Sequence, residues 1–186
     1  MSVEKEIARI AAKGDGVTAD GQHVAGAVTG DVILPDGSVK AGPHHVTPPC
    51  RHFGTCGGCQ LQHADEEALR QFVTDRVLNA AKGQGLDPRD LLEAHLSPPQ
   101  SRRRATLHAN RKGKRASLGF REAGSHRIVD LKQCEIMRPE LFALVPKLRE
   151  FVSQFGGRGN IDIELTQVDQ GIDCACLLYT SDAADE

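Results

Sequence analysis

Tryptophan is absent from this 186-residue chain, tyrosine occurs once, and aromatic residues make up only 4% of it. So few rings argue against recognition built mainly on stacking. No apolar run approaches the length of a bilayer span, so no membrane association is expected. The opening residues, MSVEKEIARI, hold neither an apolar core nor a small-residue cleavage site, so no secretory signal is expected either. The expected location is therefore the cytoplasm, where clustered thiols bind metal more often than they form disulfides. Repeats and low-complexity stretches are also missing. What remains, 39% apolar and 26% charged residues, fits a soluble globular chain of one ordinary domain or two small ones.

The net charge of −2 conceals a local excess of the other sign. Between Ser101 and Arg127 stand nine basic residues against one acid, Glu122, or +8. They are Arg102, Arg103, Arg104, Arg111, Lys112, Lys114, Arg115, Arg121 and Arg127. Such a field attracts polyanions, although a solvated surface face is the plainer reading. Arg102–Arg104 open a strand, so alternate side chains face opposite ways and cannot all serve one surface. The exposed ones suit phosphate contact, as do Arg111, Lys112, Lys114, Arg115 and Arg121.

Residues 1–47 break short valine-containing segments with GDG, ADG, TGD and PDG, the pattern of small strands in a compact barrel-like module. A module so short has a marginal core and is expected to lean on the rest of the chain. From Asp65 the spacing of Leu69, Phe72, Val73, Val77 and Ala80 predicts a helix, capped by Asp65 and ended near Gly83. RRRATLHAN and ASLGFRE read as two strands joined by the basic turn RKGKR, and HRIVDL as a third strand leading to Cys134. The stripe Leu141, Leu144, Val145, Leu148, Phe151, Val152 and Phe155 predicts helix, started by Pro139 and restarted at Pro146. NIDIELTQV alternates Ile161, Ile163 and Leu165 on one face and reads as a strand.

Three of the six cysteines fall in CRHFGTCGGC, as Cys50, Cys56 and Cys59, with Cys134 far downstream. Zinc sites usually join two C-x2-C knuckles, whereas one loop supplying three thiolates with a remote fourth suits a cubane iron–sulfur cluster. Iron–sulfur, zinc and buried thiols without metal all stay open on spacing alone. Gly57 and Gly58 allow backbone amides to approach a cluster closely. His52, His63 and His126 are read as orienting groups rather than ligands. Phe120 is read as core.

The motif PCRHFGTCGGCQLQH resembles the cluster motif of the bacterial RNA uracil-5-methyltransferases, which act on 23S rRNA or tRNA. The likeness continues through SRRRATLHA, LGFREAGSHRIVDLKQC and PELFALVPKLR, about Pro49 to Phe155. It implies a [4Fe-4S] cluster on Cys50, Cys56, Cys59 and Cys134, organising an RNA-binding region. It also implies a parent enzyme that methylates C5 of uridine with S-adenosylmethionine, with 23S rRNA ahead of tRNA as partner. The opening residues resemble a shortened TRAM domain, an OB-like RNA-binding barrel. The expected fold is thus α+β: a small TRAM/OB-like β module over 1–47, a cysteine loop over 48–64, and a mixed central RNA-binding domain over 65–175. A monomer is expected. Residues 176–186, CLLYTSDAADE, resemble a translated sequencing adapter and are expected to be a foreign tail. No Gly-rich cofactor loop follows a strand, so no catalytic residue is assigned, and neither Cys174 nor Cys176 is read as a nucleophile. Two rivals are a stand-alone zinc-stabilised nucleic-acid-binding module and a radical-SAM fragment. The x5 spacing and the fourth cysteine argue against the second.

Overall fold

A computed structural model describes residues 4–155 and 159–178, and the chain divides into two compact units. The first comprises residues 1–49 and 60–97, the second Cys50–Cys59 and residues 98–186. The class is mixed α+β, with antiparallel sheets and a small β-rich module. No helix among the described residues is long and apolar enough to cross a membrane.

In the first unit, β1 (Lys5–Ile10), β2 (Gly16–Thr18), β3 (His23–Val24), β4 (Val32–Ile33) and β5 (Val39–Lys40) form an antiparallel sheet in the order β3-β2-β1-β4-β5. Strand β1 buries both Ile7 and Ile10, an odd spacing that plain alternation forbids. An irregularity between Ile7 and Arg9 resets the register and turns both inward. Gly16, which pairs with Ile10, must lack a side chain, because a Cβ there would lie 2.9 Å from Ile7 Cγ2 and from the Ala27 carbonyl.

The buried Asp31 carboxylate accepts the Val28 and Gly42 amides at 2.8 and 2.7 Å and pairs with His45 Nδ1 at 2.8 Å. Helix α1 (Glu66–Gly83) starts where the sequence places it, with Asp65 accepting the Ala68 amide at 2.8 Å. Its first turns lay Ala68, Leu69 and Phe72 on Ile10, Val28 and Ala64. The short β module does lean on a later helix. The far half of the predicted stripe is not covered: Val77 stays 53% exposed.

In the second unit, β6 (Arg104–Lys112), β7 (Arg115–Gly119), β8 (Asn160–Val168) and β9 (Gly171–Leu178) form an antiparallel sheet ordered β7-β6-β8-β9. Ala105, Leu107, Ala109, Leu118, Ile161, Ile163 and Leu165 make its buried face, as the alternation predicts for β8. Helices α2 (Pro139–Phe142) and α3 (Val145–Phe155) add Leu141, Val145 and Val152 to that core, and Pro146 marks the restart.

Two expectations change. HRIVDL is extended beside β7 but forms only a bridge, Arg121 to Ile128. Its amides at Val129 and Leu131 reach the Phe120 and Leu118 carbonyls, yet the returning Leu118 amide goes to the Asp130 side chain instead of a backbone carbonyl. Strand β9, not read from the sequence, pairs with β8 through Leu178, so Cys176–Leu178 of the expected tail lie in the sheet. The rest of that tail, 179–186, lies outside the described residues.

Candidate functional site: the cysteine loop and the basic sheet edge

The cysteine loop is a run of tight turns stitched to its neighbours on two sides. Within it, the Phe53 amide bonds the Cys50 carbonyl and the Cys56 amide bonds the His52 carbonyl, at 3.0 and 2.9 Å. On one side Cys56 bridges Glu122, the Gly57 amide donates to the Arg121 carbonyl at 2.8 Å, and the Ala123 amide donates to the Thr55 carbonyl at 3.1 Å. The glycine pair makes this approach feasible. A Cβ on Gly57 would sit 2.9 Å from the Arg121 carbonyl, and one on Gly58 3.0 Å from the Phe120 ring. Phe120 thus packs against the loop and the core, as expected for a core residue.

On the other side the loop meets the segment that ends in Cys134. The Arg51 amide donates to Gln133 Oε1 at 3.3 Å, and the Lys132 amide donates to His52 Nε2 at 3.0 Å. Burial, then the nearby Arg51 charge, lower the His52 pKa, which favours the neutral ring needed to accept at Nε2. His52 is therefore an orienting group, as read from the sequence. His63 lies in the first unit, edge-on to His45 at 5.4 Å, and His126 is exposed.

Cys50 and Cys56 are buried, Cys59 and Cys134 are half-buried, and no disulfide joins them. Burial pushes the Cys56 thiol pKa up, and the neighbouring Cys134 and Cys50 sulfurs push it further. The Gly58 amide opposes this by donating to Cys56 Sγ at 3.4 Å. Two of the sequence-selected thiols, Cys50 and Cys134, thus bear on a third, Cys56, and Cys59 follows Gly58 directly. The donor chemistry, soft thiols of which two are buried and one receives an amide at sulfur, fits a thiolate-held metal group. The ligand geometry is not formed: among the described residues no group of three or more metal-ligating side chains is set to hold an ion.

The basic residues distribute over both faces and the hairpin end. The Arg102 backbone pairs with the chain at Met137, and its side chain is exposed. Arg103 reaches Asp169 at 3.1 Å. Arg104 and Lys112 are exposed on β6, opposite Thr166 and Arg115 respectively. Arg111 is half-buried and donates to the Ser153 carbonyl at 3.2 Å, in the last turn of α3, where a cation is favoured. Lys114 and Arg115 are exposed at the turn, where Gly113 takes φ +63°. Arg121 is exposed beside the cysteine loop.

Sequence reasoning missed Asp130 and Arg149. Asp130 Oδ1 accepts Arg149 Nε at 2.7 Å and the Leu118 amide at 3.2 Å, while Oδ2 takes Lys132 Nζ at 2.6 Å. Burial raises its pKa, but the bonds from Lys132, Leu118 and Arg149 outweigh it and hold the carboxyl below its ordinary value. An acid inside the apolar run IVDL was the available signal. His108 and Asp162, paired at 2.6 Å on the other sheet face, were also missed.

No protein-family model matches the chain. It is 46% identical over 175 residues to an uncharacterized RNA methyltransferase of Zymomonas mobilis, covering 94% of the chain and 44% of that protein. It is 37% identical to an uncharacterized RNA methyltransferase of Caulobacter vibrioides, covering 78% of the chain and 39% of that protein. To the 23S rRNA (uracil(1939)-C(5))-methyltransferase RlmD of Pectobacterium atrosepticum it is 35% identical, covering 69% and 30%. The chain is a homologue of RNA methyltransferases. More narrowly, it fits the N-terminal part of the group that includes RlmD, and it spans less than half the length of these relatives.

Proposed function

We propose that this chain is the RNA-binding and iron–sulfur portion of an RNA methyltransferase that transfers a methyl group from S-adenosylmethionine to C5 of uridine, in 23S rRNA ahead of tRNA. In this reading Cys50, Cys56, Cys59 and Cys134 hold a [4Fe-4S] cluster. The basic residues from Arg102 to Arg121 contact RNA phosphates, and residues 1–47 serve as a short TRAM-like module. The observation that carries the reading is the double stitching of loop 50–59, to Arg121–Ala123 on one side and to Lys132–Gln133 on the other. A cluster there would add a cross-link between the same segments and fix the end of the basic hairpin. The relatives' names support the methyl-transfer chemistry and the RNA substrate.

The test is the protein at the length of its relatives, purified without oxygen. It is expected to contain iron and acid-labile sulfide and to move tritiated methyl from S-adenosylmethionine to C5 of uridine in unmodified rRNA. Zinc without sulfide would overturn the cluster, and methyl transfer to another atom or to no RNA would overturn the activity.

A further inference from the structure

Beside β7 the second unit has a depression of about 430 Å³, lined by Lys114, Arg115 and Ala116 from the hairpin, Asp130 and Lys132 from the adjoining segment, and Pro146, Arg149, Glu150 and Ser153 from α3. Four cations face two carboxylates there. Neither carboxylate is idle. Asp130 is occupied by its own three donors, and Glu150 Oε1 accepts Gln154 Nε2 at 3.1 Å. Arg149 spends Nε on Asp130 and one Nη2 hydrogen on the Leu131 carbonyl at 2.7 Å, which leaves its other guanidinium hydrogens available. The Lys132 ammonium likewise keeps two hydrogens beyond the one given to Asp130.

The sheet edge supplies a further donor. Along an edge strand, alternate residues turn their backbone groups to the same side. Leu118 and Phe120 turn theirs toward Val129–Leu131. Ala116 follows the same parity and lines the depression, so its amide faces the same edge. Asp130 is the residue that ends the pairing there, because its side chain takes the Leu118 amide.

We infer that this depression is a docking site for a single RNA backbone phosphate, gripped by Lys114 and Arg115 from the hairpin and by Lys132 and Arg149 from the opposite wall. The inference rests on the RNA-binding reading above and relocates its centre. Two of the four gripping residues, Lys132 and Arg149, lie outside the basic run 101–127. Arg111, inside that run, is committed to the end of α3. Phosphate chemistry fits because the cations come from different segments and converge with a backbone amide, the donor mix that phosphates accept.

A phosphate shared by two walls makes a prediction that independent surface charges do not. Neutralising one phosphate changes the slope of log K against log salt by about one unit. Lys114→Ser with Arg115→Ser, Lys132→Gln, and all three together should therefore each lower the slope by about one unit, not by a rising sum. The measurement is fluorescence anisotropy of a uridine-containing stem–loop RNA with the 186-residue chain across a salt series, folding being checked by circular dichroism. Lys132→Arg should restore the slope, and the charge-matched pair Lys82→Ser with Arg89→Ser in the first unit should leave it unchanged. A neutral Lys132→Gln, or slope losses that simply add, would overturn the shared site while leaving RNA binding intact. Absence of RNA binding by the unmodified chain would overturn both this inference and the reading beneath it.

Discussion

Asp130→Ala tests how the sheet edge is held. The substitution removes one carboxylate and strands three donors of different exposure. The Leu118 amide belongs to a fully buried residue, and leaving it unpaired costs about 1–3 kcal/mol. Arg149, with 21% of its side chain exposed, keeps the Leu131 carbonyl and loses about 0.5–1 kcal/mol. Lys132, 54% exposed, loses roughly 0.5 kcal/mol or less. The expected total is roughly 2–4 kcal/mol, dominated by the amide. Asp130→Asn retains an oxygen for Leu118 and should recover about half of it.

Hydrogen exchange at the Leu118 amide is the sharpest assay, because it reads this strand separately from the first unit. The depressed Asp130 pKa sets the pH dependence. Its stabilisation is present above the unfolded carboxyl value of about 3.9 and is lost as pH falls through the lower folded value. The loss caused by Asp130→Ala should therefore shrink in strong acid. The same substitution removes a negative charge from the depression, so RNA affinity at low salt should rise while stability falls. Leu118 protection within about 0.5 kcal/mol of the unmodified chain at neutral pH would refute the reasoning.

Cys134→Ser should strip most iron and sulfide from anaerobically purified protein; unchanged metal content would remove Cys134 from the ligand set. Gly119→Ala would drive a Cβ into the Val129 carbonyl and place it 2.7 Å from Leu131 Cγ, so it should cost about 3 kcal/mol or more, and a thermal midpoint near that of the unmodified chain would contradict the close approach. Asp65→Ala removes the α1 cap, a loss of about 1 kcal/mol, together with the pairing of Asp65 Oδ2 and His44 Nδ1 at 3.0 Å. The Asp65 bond raises the His44 pKa, so that half of the pairing is present below the ordinary value of about 6.5 and is lost as pH rises through the raised one. Burial raises the Asp65 pKa, but its Ala68 and His44 bonds prevail and lower it, so its half is present above about pH 3.9. The substitution should consequently cost more at pH 5 than at pH 8 in urea unfolding, and equal costs would count against the pairing.

Local chemistry made much of the fold legible. Asp65 announced α1, Pro146 the restart at α3, and the alternation of Ile161, Ile163 and Leu165 the buried face of β8. Periodicity names an apolar face without naming its cover, so the packing of Ala68 and Phe72 on Ile10 and Val28 was out of reach. Strand β9 escaped because Cys174, Ala175 and Cys176 carry no polar alternation, and HRIVDL lost its ladder to a side chain that spacing cannot reveal.

The site divides along the same line. Spacing could select four thiols, but not that Gly57 and Gly58 serve contact with Arg121 and Phe120, nor that charge counted along the chain omits Lys132 and Arg149. The segment from Asp130 to Cys134 carries what sequence order concealed. Asp130 closes the sheet edge, and the Lys132 ammonium faces the depression while its amide holds His52. Gln133 holds Arg51, and the Cys134 sulfur acts on Cys56. Five consecutive residues therefore connect the phosphate-facing wall to the thiol loop, so whatever orders the loop also orders the wall.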